Sequence, residues 1–336
     1  MATNLTPQYH KAEEAYRRAT TTDEELKWLE VMLREMPKHK ASEKLQSEIK
    51  QKISRAKKEV EAAKKNPAKV HGVRVPRQGA GTAVLLGAPN AGKSQLLAAL
   101  TRATPEIAPY PFTTRTPLPG MMPWEDVQVQ LIDTPPITPD IFEPYMHGLI
   151  RGADLVVLVV DLGSDEGIDE CQAVLDKLAT TKTRLGRTSH LDEEDIGLSY
   201  TQTLLVPNKI DLEDALIRLE FLHEGLQSPR AKQWDFAEYV ISAQAGTGLS
   251  ELRNAIFRGL DVMRVYTKLP RAKEPDYERP FTLRTGGTVA DVAGLVHKDI
   301  AENLKSARVW GAGSHNANTV KGDYVLSDKD VVELHI

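Results

Sequence analysis

Gly87-Ala88-Pro89-Asn90-Ala91-Gly92-Lys93-Ser94 follows the apolar run Ala83-Val84-Leu85-Leu86 and precedes Leu96, Leu97 and Leu100, which fall at helical spacing. The run fits G-x-x-x-x-G-K-[ST], and strand, turn and helix stand in the order a phosphate cradle needs. The glycines let backbone N–H groups turn inward around phosphate oxygens, and the following helix aims its positive end at the same anion. Lys93 supplies a fixed cation and Ser94 a hydroxyl for Mg²⁺. The expected phosphate-loop residues are Gly87, Asn90, Ala91, Gly92, Lys93, Ser94 and Gln95.

A second apolar run, Thr203 to Val206, leads into Asn208-Lys209-Ile210-Asp211. This N-K-x-D pattern predicts a guanine-reading loop. The Asp211 carboxylate can accept from guanine N1–H and the 2-amino group together, a pair adenine does not offer. Asn208 is placed to tie the loop to the cradle, and the Lys209 stem to lie along the base. Ser242-Ala243, after the strand-like Tyr239-Val240-Ile241, is expected to present backbone N–H to guanine O6. A base lacking these paired bonds leaves polar groups unsatisfied at about 1–3 kcal/mol each, enough for strong discrimination.

Between cradle and base loop lie candidates for sensing the third phosphate. Tyr110-Pro111-Phe112-Thr113-Thr114 reads as a first switch, with Thr114, or else Thr113, donating a hydroxyl to Mg²⁺; the bland alternative is a proline-flanked surface turn. In Leu131-Ile132-Asp133-Thr134-Pro135-Pro136, Asp133 at a strand end is expected to hold Mg²⁺ through a water. The usual pattern here is D-x-x-G, and Pro136 occupies the glycine place without an N–H to offer. The next residue, Ile137, stands where Ras-like enzymes carry the glutamine that orients the attacking water. Asn90 has two readings: a potassium-holding residue that replaces the missing catalytic charge, or an asparagine tolerating a left-handed turn. The catalytic candidates are therefore Lys93, Asn90 and Thr114, and the metal candidates Ser94, Thr114 and Asp133.

With Phe112-Thr113-Thr114, the hydrophobic Ile137 and a C-terminal α+β tail, the chain resembles the Obg-related GTPases, nearest the developmentally regulated GTP-binding (DRG) group. The resemblance covers nearly the whole chain. It implies an N-terminal helical segment, a G domain and a C-terminal TGS domain, with GTP or GDP and Mg²⁺ bound, K⁺ as a further cation, and slow GTP hydrolysis. It also implies ribosomal RNA or a regulatory protein as partner. The inserted α/β domain usual in that group is lacking. Its place holds Thr180 to Gln202, polar and charged, which reads as a surface loop or short helix.

The 336 residues exceed what one core usually serves, and the 41% apolar content can fill several. The reading is a basic helical hairpin over 1–69, a G domain over 70–261 and a TGS domain over 262–336. The corresponding fold class is α/β, a mostly parallel sheet with helices on both faces, flanked by the hairpin and a β-grasp unit. Cys171 stands alone, which excludes an intramolecular disulfide. No apolar run suits a signal peptide or membrane span, so a cytoplasmic location with no membrane partner is expected. The longest such run, Leu155 to Val160, reads as a buried parallel strand.

The net charge of −4 conceals an asymmetry, since residues 34–69 carry twelve Lys/Arg against five Asp/Glu. Leu45, Ile49, Ile53, Ala56, Val60 and Ala63 step by three and four, giving one apolar stripe among lysines. The preceding helix, Glu24 to Met36, offers Trp28, Leu29, Met32 and Leu33, so the two can pair. The basic surface then either contacts phosphates of structured RNA or is a solvated face. Toward the C-terminus, strands are expected at Met263–Lys268, Phe281–Leu283, Ala307–Trp310 and Val331–Leu334, with one helix over Thr288–Asn303. His297 and Trp310 are contact candidates against the plainer readings of surface histidine and packed tryptophan. A rival to the enzyme is a nucleotide-stabilised binding scaffold, which Pro136 favours.

Overall fold

The computed structural model describes residues 6–17, 19, 22–36, 46–47, 49–54, 56–57, 75–101, 117–192, 195, 197–226, 235–311 and 317–336. Thr113 and Thr114 of the expected first switch lie outside these residues, as do Leu45, Val60 and Ala63 of the basic stripe.

The larger sheet runs β2-β3-β1-β4-β7-β5, with β6 and β8 also pairing β7. Its members are β1 (Thr82–Gly87), β2 (Leu118–Trp124), β3 (Val127–Asp133), β4 (Leu155–Asp161), β5 (Thr183–Gly186), β6 (His190–Leu191), β7 (Ser199–Asn208) and β8 (Ala237–Glu238). β3, β1, β4 and β7 are mutually parallel, and β2 returns antiparallel along β3. All seven residues of β4 are buried, as a parallel strand covered on both faces requires.

The side chains alternate between two cores. Ala83, Leu85, Val157 and Val159 face one helix layer, α3 (Lys93–Leu100) with α7 (Leu249–Gly259), through Leu96, Leu100, Leu252 and Ile256. Val84, Leu86, Val156 and Leu158 face the other: α4 (Met146–Gly152), α5 (Gly167–Ala179) and α6 (Ala215–Leu226), through Ile150, Val174 and Leu222. This arrangement brings the ends of β1, β3, β4 and β7 to one edge, where open α/β sheets place their ligands.

The segment Thr180–Gln202 is not a surface loop or short helix. It forms β5, β6 and the first residues of β7, with Thr183, Ser199 and Thr201 fully buried. Hydroxyls supply much of the inward alternation, with Leu185 the buried aliphatic residue of β5, so the segment's polarity hides the strands. Farther along, the expected strand at Tyr239–Ile241 is assigned only at β8, although Tyr239 N–H to Leu205 O (2.9 Å) and Ile241 N–H to Pro207 O (2.8 Å) continue the ladder.

At the N-terminus, α1 (Pro7–Arg17) joins α2 (Thr22–Glu35) and the helical residues 49–54, so the expected hairpin is a three-part cluster. Tyr9, Ala12, Leu29, Met32 and Ile49 form its core. Arg151 of α4 meets it, 3.7 Å from Glu25 and over the Tyr16 ring.

A second sheet, β10-β9-β13-β11-β12, comprises β9 (Val262–Thr267), β10 (Asp276–Arg284), β11 (Ser306–Trp310), β12 (Asn318–Val320) and β13 (Asp330–His335). β13 and β9 pair in parallel and the others antiparallel. Pro280 is tolerated because β10 is an edge strand whose register shifts between Asp276 and Phe281. The single helix expected over Thr288–Asn303 is two, α8 (Val289–Val296) and α9 (Lys298–Asn303). His297 between them is extended, and its ring accepts Asp299 N–H at 3.1 Å, starting the second helix while ending the first. His297 is exposed, whereas Trp310 is half-buried, with Lys268 and Arg308 each 5.1 Å from its ring.

The two sheets meet at the β2–β3 turn. Arg264 of β9, 3% exposed at its side chain, reaches Glu125 Oε2 (2.6 Å), Asp126 Oδ1 (2.7 Å) and Asp328 Oδ2 (2.7 Å). It also lies over Trp124, which stacks on Phe257 of α7 with centroids 3.5 Å apart. Tyr266 donates its hydroxyl to Asp126. A second link is Arg284, 3.0 Å from Asp154.

Candidate functional site

The cradle is shaped by backbone conformations that few side chains allow. Gly87 has φ +154° and a Cβ there would lie 2.6 Å from Val159 O. Asn90, at the exposed tip, takes φ +58°. Asparagine is among the few residues that adopt this left-handed conformation readily, so the conformational reading of Asn90 is the one the geometry displays. Gly92, at φ +92°, immediately precedes α3.

Lys93 is buried and donates from Nζ to Gly87 O (3.0 Å) and Ala88 O (2.7 Å). Burial lowers its pKa to about 8, opposed by the charge of Asp133. Asp133, at the end of β3, accepts from the Ser94 hydroxyl through Oδ2. Its other oxygen, Oδ1, is buried with no hydrogen-bond partner among the described residues. Burial raises the Asp133 pKa, with the Ser94 hydroxyl and Lys93 acting against it. An unpartnered carboxylate oxygen beside a serine hydroxyl is a hard-oxygen donor set, which fits a magnesium ion and its waters.

Beyond Asp133 the chain turns inward. The Thr134 hydroxyl donates to Leu85 O at 2.7 Å. Ile137 is 2% exposed, packed with Val84, Leu86 and Ile132, and its N–H points to Gly87 O at 3.4 Å. Its side chain thus belongs to the core beneath the cradle. Pro136 is half-buried beside it.

Asn208 joins three loops. Fully buried, it donates Nδ2–H to Ala91 O (3.0 Å) and accepts Ala243 N–H on Oδ1 (3.0 Å). Lys209, at φ +70°, pairs through Nζ with Asp161 at 2.6 Å. Asp161, the last residue of β4, is the carboxylate that terminates the longest apolar run. Asp161 in turn accepts Gly163 N–H at 2.7 Å. The Asp211 side chain is exposed at the loop's mouth and Gln95 is exposed on α3.

The Ser242 and Ala243 amides have internal partners. Ser242 N–H goes to Thr247 O (3.0 Å) and Ala243 N–H to Asn208, so both amides are engaged internally. The Ser242 hydroxyl accepts Ala245 N–H at 2.8 Å, which tightens the turn. These residues position the base loop.

Residues 82–190 match the family described as 50S ribosome-binding GTPase, and residues 263–336 match the TGS domain. Fold, cradle and matches define a P-loop GTPase G domain joined to a TGS domain. Over most of its length the chain is similar to GTP-binding proteins. One relative is an uncharacterised GTP-binding protein of Methanocaldococcus jannaschii, 28% identical over 94% of this chain and 93% of its own. Another is developmentally-regulated G-protein 1 of Arabidopsis thaliana, 27% identical over 93% and 90%. Both alignments, at 375 and 363 positions, exceed the 336 residues here, so these relatives carry segments opposite gaps in this chain. The Schizosaccharomyces pombe YchF GTPase structure shares the fold at TM-score 0.51 and 13% identity, covering 77% of this chain and 99% of its own. No described helix is long and apolar enough to cross a membrane.

Proposed function

We propose that this chain binds GTP and GDP with Mg²⁺ and hydrolyses GTP slowly, as a cytoplasmic switch working with the ribosome or structured RNA. The observation that carries the nucleotide reading is Asn208, whose two hydrogen bonds hold the cradle at Ala91 against the base-side loop at Ala243. Phosphate and base recognition are thereby kept in fixed register. Lys93 is positioned to neutralise phosphate oxygens, Ser94 and Asp133 to support Mg²⁺, and Asp211 to read guanine. Gly87, Ala91 and Gly92 shape the phosphate loop, Gln95 flanks it, and Thr114 is the proposed switch ligand. Bound Mg²⁺ would supply charge neutralisation between the β- and γ-phosphates. The proposed domain limits are 1–69, 70–261 and 262–336.

Hydrolysis in this reading rests on positioning and charge. Because Ile137 is committed to the core, the catalytic charge comes from elsewhere, and K⁺ held at Asn90 is the proposed source. GTP hydrolysis by the wild type should be faster in KCl than in NaCl, and Asn90→Ala should remove the difference. Equal wild-type rates in the two salts would dismiss the potassium role.

The buried Ile137 and the missing Pro136 N–H also favour a second reading, a nucleotide-stabilised RNA- or protein-binding scaffold. Single-turnover hydrolysis with and without ribosomes separates the two. Tight GTP binding with no product above buffer in either condition selects the scaffold.

The RNA arm of the proposal rests on the excess of twelve Lys/Arg over five Asp/Glu in residues 34–69. Binding to structured RNA should weaken linearly with log salt. A flat salt response would remove that arm.

A further inference from the structure

One face of α6 has no partner among the described residues. Ala215 and Leu222 are buried, yet Leu216, Ile217 and Phe221 are 67%, 50% and 58% exposed. Ile217 and Phe221 are four residues apart and so stand one above the other on the helix. With Ile168 of α5 they form the apolar floor of a groove of about 610 Å³, edged by Asp165, Asp169 and Asp214. Scattered apolar residues on a surface mean little, but a continuous apolar strip with a polar rim marks an interaction site.

The rim is strongly acidic. Residues 165–170 hold four Asp/Glu and no Lys/Arg, and residues 211–226 hold five Asp/Glu against Arg218 alone. Arg218 is already committed, to Asp165 (2.7 Å) and to the carbonyls of Leu162 and Glu213. An incoming group therefore meets an apolar floor with Asp169 and Asp214 on its rim and Asp165 already paired with Arg218.

We propose that the α5–α6 groove docks a basic amphipathic helix of a partner protein. α6, with 12 residues, is about 18 Å long, which matches three turns of a helix laid alongside it. The partner's apolar stripe meets Ile168, Ile217 and Phe221 while its lysines or arginines meet the rim, the helix-in-groove mode of recognition. A nucleic acid is disfavoured because its phosphates would face this carboxylate rim. The described part of the chain's own basic helix is also unsuited, since Ile49 and Ala56 are buried and Ile53 packs against the N-terminal cluster. The site is separate from the nucleotide chemistry and stands or falls without it. It nevertheless adjoins the base loop, because Leu212 follows Asp211 and a Cβ on Gly163 would touch both Leu212 and Lys209.

The test uses the full chain and a fluorescein-labelled amphipathic Leu/Lys helix of about 18 residues, read by anisotropy. A Leu/Glu helix of the same pattern is the control. The Leu/Lys helix should bind the wild type and lose roughly tenfold or more in affinity with either Phe221→Ser or the double variant Asp169→Lys, Asp214→Lys. Phe221 is exposed, so Phe221→Ser should keep the wild-type thermal midpoint; Asp214 is at φ +62° and Asp169 in the first turn of α5, so the double variant is compared at a temperature below its own measured midpoint. Undiminished binding by both variants overturns the proposal, as does equal binding of the Leu/Glu helix. A wild-type dimer in sedimentation that Phe221→Ser dissolves would assign the groove to a second copy, and also overturn it.

Discussion

A Cβ placed on Gly92 would lie 2.3 Å from Asn208 Nδ2, so the cradle glycine and the base-loop asparagine share one packed space. Gly92 also sits at φ +92°, where an L side chain is strained. Gly92→Ala should therefore displace Asn208 and cost about 2–3 kcal/mol of stability, with nucleotide affinity falling in parallel. Urea denaturation checks the first and nucleotide titration the second. A variant as stable as wild type would show that Asn208 moves aside freely.

Lys93 gives a signed pH dependence. Its folded pKa of about 8 lies below the ordinary 10.5, so between these values the unfolded chain binds more protons. Stability of the nucleotide-free protein should gain a contribution as pH rises from about 8 toward 10.5. Anionic phosphate favours the charged lysine, so nucleotide binding above pH 8 should take up a proton. Calorimetry in buffers of different ionisation enthalpy measures this, and absence of uptake at pH 8.5 would contradict it.

Asp133 should show function traded against stability. Burial raises its pKa, which means the charged form is disfavoured in the folded protein. Asp133→Asn removes that burden while keeping the shape. The nucleotide-free thermal midpoint should not fall, whereas Mg²⁺ should lose its ability to tighten GTP binding. A magnesium effect equal to wild type would exclude Asp133 from the metal site.

Arg264 holds three carboxylates. Its hydrogen bond keeps the Glu125 carboxyl below the usual range; Asp126, despite burial that opposes it, is lowered by hydrogen bonds from Tyr266 and Arg264. Arg264→Met leaves these acids facing one another. With the carboxylates partly exposed and screened, the loss should be about 2–3 kcal/mol, under the full value of a buried pair. Depressed carboxylate pKa values contribute stability above the ordinary carboxylate range that is lost as pH falls through the lowered values. The variant should accordingly lose less on acidification than wild type. Identical acid denaturation curves would count against the clamp.

The G domain was legible because its strands are continuous aliphatic runs ending in chemistry: Leu86 into Gly87, Ile132 into Asp133, Val206 into Asn208. Strand β5 was hidden for the opposite reason. Its four residues include the buried hydroxyl of Thr183, and it pairs with the start of β7, where Ser199 and Thr201 are buried hydroxyls too, so hydropathy gives little to separate the segment from a loop. The helix break at His297 was equally hidden, since Val296 and Ile300 keep helical spacing across it while the histidine ring satisfies the next helix's N–H. The Lys209–Asp161 pair required two strands to be neighbours, which periodicity does not tell. The internal partners of the Ser242 and Ala243 amides were not legible, because they depend on the closure of the whole turn.

The β2–β3 hairpin has one further consequence. Each arm is seven residues long, about 23 Å; at one end stands Asp133, and at the other the turn held by Arg264 and braced by Trp124 on Phe257. Such a ribbon transmits load as a stiff strut. The Arg264 clamp therefore couples the C-terminal sheet to the strand that ends at Asp133, alongside the short covalent link from α7, ending at Gly259, into β9, starting at Val262.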